Sequence, residues 1–293
     1  MLVARHAPRR RRRHASILAS ALLLISAAAM AALAAEPADD ARDGVGTPRR
    51  EQAVEVGASQ TPTPTPAPVS PFSTYRANYL VIGPENSPMV DNPTSKFQLS
   101  IKYDTGASWY FAYTQRGYWD IAADSSPLFD QSIEPGVFYF WKPKAELAER
   151  WHIASARTGF VHESNGKEGA SSRAWNRAYV EPLFRWREFF FEPKLWVITS
   201  TDEQNKDIKD YYGYTDIVFG IETASRQRFT VTGRLGLEHG SLQVDVSLPA
   251  NSLFTGNTMR PYLYAQLWTG YGETLLYYNV RTTAFRIGIE FHP

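Results

Sequence analysis

Residues 160–177 combine side chains that could hydrolyse an ester. If the first part of this range is a β-strand, His162 and Ser164 project from the same face, because side chains alternate along a strand. That spacing places an imidazole base within hydrogen-bonding reach of a hydroxyl nucleophile. A turn centred near Gly169 would pair a second strand with the first and set Asn176 directly across from His162. The sequence therefore predicts the three roles of a serine hydrolase, with an amide as the orienting third partner.

Two paired strands need a larger sheet to hold them, and the rest of the chain supplies candidates. Apolar and polar residues alternate most clearly over 228–238 and 241–248, which is typical of half-buried strands. Similar patterns bring the total to about thirteen candidate segments. The others lie near 76–83, 96–105, 108–120, 136–144, 151–164, 172–186, 189–200, 213–223, 260–270, 274–281 and 283–291.

The chain divides into three parts by composition. Residues 1–35 carry six arginines, an apolar run and small residues, which together predict a cleaved secretory signal peptide. Residues 36–70 contain a Thr-Pro repeat and few large apolar residues, which favours a disordered extension. Residues 71–293 are expected to form the catalytic β-domain. Without the six arginines the formal net charge falls from +1 to about −5, which gives no sign of nucleic-acid binding.

The exported chain contains no cysteine, so neither a disulfide scaffold nor a thiol nucleophile is available. Aromatic residues make up 14% of the chain and gather near the ends of candidate strands. Examples are Trp109-Tyr110-Phe111, Tyr118-Trp119, Phe138-Tyr139-Phe140-Trp141 and Phe189-Phe190-Phe191. Such girdles favour an all-β fold, a transmembrane antiparallel barrel. A closed barrel with both termini on one side needs an even number of strands, and twelve is the expectation. A soluble β-sandwich is the alternative that explains the same alternation.

The segment His162-Glu163-Ser164-Asn165-Gly166, followed by Ser172-Arg173-Ala174-Trp175-Asn176-Arg177, resembles the motif of outer membrane phospholipase A. The likeness continues through most of the barrel region. It includes Phe72-Ser73-Thr74-Tyr75, Tyr113-Thr114-Gln115, Glu134-Pro135 and Gly270-Tyr271-Gly272-Glu273. A bare His-x-Ser spacing is weak by comparison, since His239-Gly240-Ser241 has it without the surrounding pattern.

The resemblance implies a twelve-stranded barrel that hydrolyses phospholipid acyl esters, requires calcium and becomes active as a homodimer. It assigns Ser164 as nucleophile, His162 as general base and Asn176 as the group that orients the imidazole. A neutral amide suits a lipid-facing surface, where an ionised aspartate would be costly to desolvate. The backbone N–H of Gly166 is implied as an oxyanion donor.

The family's calcium ligands fall on four positions of this chain. They are Ser172 through its hydroxyl, Lys167 through its carbonyl, Ser125 from the partner subunit, and Glu203 for a further calcium position. Hard oxygen ligands of this kind suit Ca²⁺. Gln115 resembles a glutamine of the family's dimer interface, and a lumen-facing position is its alternative.

The function expected from these residues is calcium-dependent hydrolysis of phospholipids, of A1, A2 and lysophospholipid type, in the bacterial outer membrane. The active site would lie on the outside of the barrel, where the substrate arrives from the lipid. The alternative is a non-catalytic outer-membrane pore or lipid-binding barrel, in which His162 and Ser164 are ordinary strand residues.

Overall fold

The computed structural model describes residues 70–250 and 261–292. The predicted signal peptide, and all but the last residue of the predicted extension, lie outside these ranges. Among the described residues, no helix is both long enough and apolar enough to cross a membrane.

The described chain folds into one closed antiparallel sheet. Its strands are β1 (Phe72–Thr74), β2 (Asn78–Gly83), β3 (Glu85–Asn86), β4 (Thr94–Asp104), β5 (Trp109–Asp120), β6 (Leu128–Trp141), β7 (Ile153–Ser164), β8 (Ala174–Trp186), β9 (Phe189–Thr201), β10 (Thr215–Glu222), β11 (Arg228–Leu235), β12 (Gly240–Pro249), β13 (Pro261–Gly270) and β14 (Thr282–Phe291). Two short helices accompany them, α1 (Ala145–Trp151) and α2 (Ile208–Tyr212).

The sheet closes because β2 pairs with both β14 and β4, and β4 pairs in turn with β5. β1 and β3 are short extensions at the two ends of β2, since β1 pairs with β4 and β3 with β14. The barrel therefore has twelve strand positions, which confirms the predicted fold class and strand number. Each of the twelve strand positions is paired on both sides, as a membrane-spanning β-structure requires.

The connections between strands lie at the two ends of the barrel. Residues 165–173, 202–214 and 271–281 lie at one end, here called the loop end, and the turn at 187–188 and the connection that contains α1 lie at the other. The predicted strand over 274–281 is wrong, because these residues form turns in the loop between β13 and β14. Two apolar residues of this loop, Leu275 and Tyr278, are buried in the aromatic core instead of lying on a sheet face.

The outer wall is apolar and the inner wall is polar. Outward side chains such as Leu99, Val197 and Phe219 are largely exposed, as a lipid-facing band requires. The inner wall carries ion pairs, among them Lys96–Glu273 and Arg286–Glu273, each at 3.0 Å. Lys96 and Glu273 are among the residues that line an internal cavity of about 270 Å³.

The predicted aromatic girdles are confirmed only in part, because alternation divides each cluster between the two walls. Trp109, Phe111, Trp119, Trp141 and Phe189 are exposed. Their neighbours Tyr118, Phe138 and Phe190 are buried inside the barrel. An aromatic core near the loop end includes Trp175, which packs edge-to-face against Trp196 and Tyr212. This core supports the inner side of β8.

Candidate active site

The hairpin of β7 and β8 carries the predicted hydrolase residues. The two strands pair from Ile153 opposite Phe184 up to Ser164 opposite Ala174, and His162 is directly opposite Asn176. The register expected from the sequence is therefore the register of the structure. The two strands are joined at the loop end by residues 165–173.

Asn165 organises that connecting loop. Its buried side-chain oxygen accepts hydrogen bonds from the backbone N–H groups of Lys167 and Arg173, at 3.2 and 3.0 Å. Its side-chain nitrogen donates to the carbonyl of Ser171 at 2.9 Å. An Asx-type turn of this kind supplies the partners that the loop backbone would otherwise lack. The loop after Ser164 is thereby held in one conformation.

The imidazole of His162 is held by Asn176. His162 Nδ1 lies 2.9 Å from Asn176 Oδ1. The amide nitrogen of Asn176 donates to Ser200 Oγ on β9 at 2.6 Å. With its nitrogen bonded to Ser200, the amide presents its oxygen to the imidazole. Nδ1 then carries the proton and Nε2 is left as the basic nitrogen.

Ser164 shares the outer face with His162, as its place two residues along β7 dictates. It is half-buried and pairs with Ile133 of β6. Within the described ranges, no hydrogen bond joins the side chains of Ser164 and His162. The structure therefore assembles the His162–Asn176 pair and leaves Ser164 beside it on the same face.

Gly166 lies two residues after Ser164 and has a φ of +67°, a conformation that L side chains rarely adopt. Across residues 70–250 and 261–292, its N–H donates to no hydrogen-bond acceptor. A Cβ added at Gly166 would lie 3.3 Å from the side-chain nitrogen of Gln131. A free backbone donor close after a serine is the arrangement that an oxyanion requires.

The predicted calcium ligands are distributed over three loops at the loop end. Ser172 Oγ donates to Asp202 Oδ2 at 2.6 Å. That hydrogen bond holds the pKa of the Asp202 carboxyl below its ordinary value, so the carboxylate is readily ionised. Lys167 and Ser172 belong to the same loop, whereas Ser125 is exposed in the connection between β5 and β6.

Glu203 is largely exposed and forms a 3.3 Å ion pair with Lys206. Asp202, its neighbour, is the acid that reaches Ser172. In the part of the chain that the structure describes, no three His, Cys, Asp or Glu side chains gather as a metal site. The available oxygens of Ser172, Asp202 and the Lys167 carbonyl are hard ligands whose chemistry fits calcium.

Gln115 faces outward, so its lumen-facing alternative is wrong. Its side-chain nitrogen donates to Gln131 Oε1 at 3.0 Å, and its oxygen accepts from the Tyr113 hydroxyl at 3.1 Å. These three residues form an outer polar cluster on β5 and β6, next to the active-site hairpin. The Gln115 amide thus makes two hydrogen bonds within one chain, one through its nitrogen and one through its oxygen.

Sequence reasoning missed three contributors to the site: Ser200, Asp202 and Asn165. Ser200 and Asp202 lie on β9 or directly after it, and no motif links them to residues 160–177. Their contribution depends on the pairing of β8 with β9, which shifts register between Asn176 and Arg177. Asn165 lies inside the motif. Its position before Gly166 in a predicted turn is the signal that could have indicated its role in stabilising the loop.

Comparison with known proteins gives a consistent result. The family model described as phospholipase A1 matches residues 68–291. The phospholipases A1 of Salmonella typhimurium and Escherichia coli are each 29% identical to the chain over 213 residues, covering 66% of this chain and 68% of theirs.

Two solved structures share the fold. The outer membrane phospholipase A of Escherichia coli superposes with a TM-score of 0.67 at 23% identity, over 80% of this chain and 95% of its own. The calcium-bound dimer of the Salmonella typhi outer membrane phospholipase superposes with a TM-score of 0.65 at 24% identity, over 75% of this chain and 92% of its own.

Proposed function

Since the chain belongs to the phospholipase A1 family and is thereby an ester hydrolase built on an outer-membrane β-barrel, we propose that His162, Ser164 and Asn176 are its catalytic residues. One observation carries the proposal: His162 Nδ1 lies 2.9 Å from Asn176 Oδ1 on directly paired strand positions. Ser164 lies two residues from the imidazole on the same outer face.

The reaction follows from the roles of these groups. His162 Nε2 takes the proton of the Ser164 hydroxyl as the oxygen attacks the acyl carbonyl of a phospholipid. The imidazolium then gives that proton to the departing lysophospholipid oxygen, which leaves an acyl-serine. Water, deprotonated by the same imidazole, releases the fatty acid and restores Ser164. Asn176 holds the imidazole through both steps, and the Gly166 N–H donates to the oxyanion.

The position of the site determines how the substrate reaches it. His162 and Ser164 lie on the outer wall, near the end of β7, where apolar side chains face the lipid. Acyl chains approach from the membrane without crossing the barrel. We assign the substrate as a phospholipid of that membrane, cleaved at either acyl position or as a lysophospholipid.

Calcium is the proposed cofactor, and the oxygens of Ser172, Asp202 and the Lys167 carbonyl would hold it. Ser125 would contribute from a second subunit, so that a homodimer completes the site. When bound there, Ca²⁺ would polarise an ester carbonyl and share the oxyanion charge. Glu203, which is exposed and paired with Lys206, would at most hold a further ion. The calcium-bound dimer among the similar structures supports this assignment.

A passive pore is the competing function. The interior argues against it, because ion pairs such as Lys96–Glu273 and Arg286–Glu85 occupy the inner wall. Arg116 also pairs with Glu134 inside the barrel. Side chains that are tied to one another in this way fill part of the interior, whereas a pore needs an open path.

The test is release of fatty acid from phospholipid micelles by the full-length protein refolded in detergent. Wild type with calcium should release fatty acid, and Ser164→Ala should release none. Ser241→Ala is the matched control, because Ser241 has the same spacing from His239 as Ser164 has from His162. Undiminished release by Ser164→Ala, or none from folded wild type, would refute the proposal.

A further inference from the structure

Along β7 and β8, the outer-wall side chains of the proposed active site alternate with side chains that are buried on the inner wall. On β7, outward His162 and Ser164 bracket Glu163, which faces inward and is 1% exposed. On β8, inward Trp175 and Arg177 bracket the outward Asn176. Each outer-wall residue of the site is therefore adjacent in the chain to a buried inner-wall residue.

Glu163 connects these inner residues. Its Oε2 accepts from Trp175 Nε1 at 3.0 Å and from Arg177 at 2.5 Å. Its Oε1 accepts from Ser132 Oγ at 2.5 Å and from Arg116 at 3.2 Å. One carboxylate thus receives four donors from β5, β6 and β8. Charge-assisted hydrogen bonds of this kind are the strong ones, and burial leaves them unscreened.

The donors on β8 are themselves fixed. The guanidinium of Arg177 lies 3.9 Å from the centre of the Trp175 ring. Trp175 is fully buried and packs against Trp196 and Tyr212. Glu163 is therefore bonded to a rigid part of the inner wall.

On the other side of β8, the neighbouring strand β9 constrains the register of β8 less strongly. The pairing of β8 with β9 is irregular between Asn176 and Arg177, and such irregularities re-aim side chains. The alignment of Asn176 with His162 therefore depends chiefly on the contact of β8 with β7. A slip of two residues would keep both faces correct but would separate Glu163 from Trp175 and Arg177.

We infer that Glu163, together with Trp175 and Arg177, is a positioning cluster that holds His162 opposite Asn176 and beside Ser164. None of the three touches the substrate. They act through the backbones of β7 and β8, from the opposite side of the barrel wall. The inference rests on the proposed function, because it assigns a role relative to that site.

Glu163→Gln tests the cluster with little change of volume. The oxygen of the glutamine amide can accept hydrogen bonds from one pair of donors, but its nitrogen is itself a donor and would face the other pair. Either Trp175 and Arg177 or Ser132 and Arg116 therefore lose this acceptor. A small displacement of catalytic groups can cost about a hundredfold in rate. The expected kcat is ten- to a hundredfold below wild type, with KM within about twofold.

Asp245→Asn is the matched control. Asp245 is a buried carboxylate that accepts from Tyr264 at 2.7 Å and from Gln243 at 2.8 Å, on the wall formed by β12 and β13. It has a similar number of donors but no link to the hairpin of β7 and β8. Its kcat should stay within about twofold of wild type, even if its unfolding midpoint falls as much as that of Glu163→Gln.

Two milder variants keep the inference testable if Glu163→Gln does not refold. Glu163→Asp keeps the carboxylate and should retain more kcat than Glu163→Gln. Trp175→Phe removes one donor and should lower kcat with KM unchanged. The rate at which a sulfonyl fluoride modifies Ser164 should fall in parallel, since it reports the alignment of His162 and Ser164 without phospholipid.

The outcomes separate the two proposals. If wild type hydrolyses phospholipid, Ser164→Ala does not, and the Glu163 and Trp175 variants keep the wild-type kcat and modification rate, the positioning role is refuted and the proposed function stands. An equal loss of kcat in Asp245→Asn would also refute it, because the effect would then belong to any buried carboxylate. If folded wild type neither hydrolyses phospholipid nor reacts at Ser164, the proposed function itself fails.

Discussion

Asn176 and His162 face each other across β7 and β8, with 2.9 Å between Asn176 Oδ1 and His162 Nδ1. The amide is neutral, so placing it beside lipid does not require a charge to be desolvated. Its hydrogen bond to Ser200 fixes which of its two ends, the oxygen or the nitrogen, faces the imidazole. The orientation of the proposed general base thus depends on three successive strands of the barrel.

Asn176→Ala should lower kcat by about tenfold or more and leave KM nearly unchanged. The variant removes the hydrogen bond that sets the imidazole tautomer and stabilises the imidazolium, and a hydrogen bond to a charged group is worth about 1.5 kcal/mol or more. Steady-state hydrolysis of a short-chain phospholipid measures both constants. Ser200→Ala should have a smaller effect in the same direction. A larger loss of kcat in Ser200→Ala than in Asn176→Ala would contradict the proposal that Ser200 acts on His162 only through Asn176.

Gly166→Ala should lower kcat by up to about a hundredfold, the cost of misplacing an oxyanion donor. The φ of +67° disfavours alanine, so the backbone N–H is expected to turn away from the nucleophile. Gly169→Ala is the control, because Gly169 also has a positive φ and has open space around it but lies farther along the loop. Equal kcat losses in the two variants would assign the effect to the loop instead of the oxyanion donor.

Calcium removal by a chelator should stop fatty-acid release, and Mg²⁺ should not restore it, because Mg²⁺ demands a smaller octahedral site. Asp202→Asn should raise the calcium concentration for half-maximal activity by about tenfold or more. Glu203→Gln should change it less, since Glu203 is paired with Lys206 at the surface. The reverse order of the two variants would make Glu203, which the family resemblance assigns to a further calcium position, the ligand on which activity depends.

Gln115→Leu should weaken the proposed dimer by roughly 1 kcal/mol, the usual contribution of a polar contact within the membrane. The outer polar cluster of Tyr113, Gln115 and Gln131 lies on an otherwise apolar wall, where it can exchange hydrogen bonds with a second copy. Chemical cross-linking across a protein dilution series in detergent measures the change. A dilution curve identical to that of wild type would place the dimer contact elsewhere.

The sequence is sufficient to predict those features that depend on local pattern. Turn formers near Gly169 and the alternation on both sides set His162 opposite Asn176, as the structure has them. The closed barrel likewise follows from alternating segments and surplus aromatics. Ser200 could not be predicted, because its approach to Asn176 depends on a register shift between β8 and β9 that leaves no local pattern.

Burial of loop residues and contacts between distant strands also escaped prediction. Leu275 and Tyr278 lie within a predicted strand segment, but they fold inward as part of a loop. Glu163 stood between two candidate catalytic residues, and only the inward-facing donors of β5, β6 and β8 reveal its role. Such contacts are set by closure of the barrel, which brings together residues far apart in the chain.

The most direct measurement is to locate the serine that a long-chain alkyl sulfonyl fluoride modifies in the refolded, calcium-loaded protein. Mass spectrometry of the digested protein identifies the modified peptide. We predict a single modification at Ser164, slowed strongly in His162→Ala and accompanied by loss of fatty-acid release. Modification of a different serine with the same loss of activity, or full activity after complete modification of Ser164, would contradict the assignment of Ser164 as nucleophile.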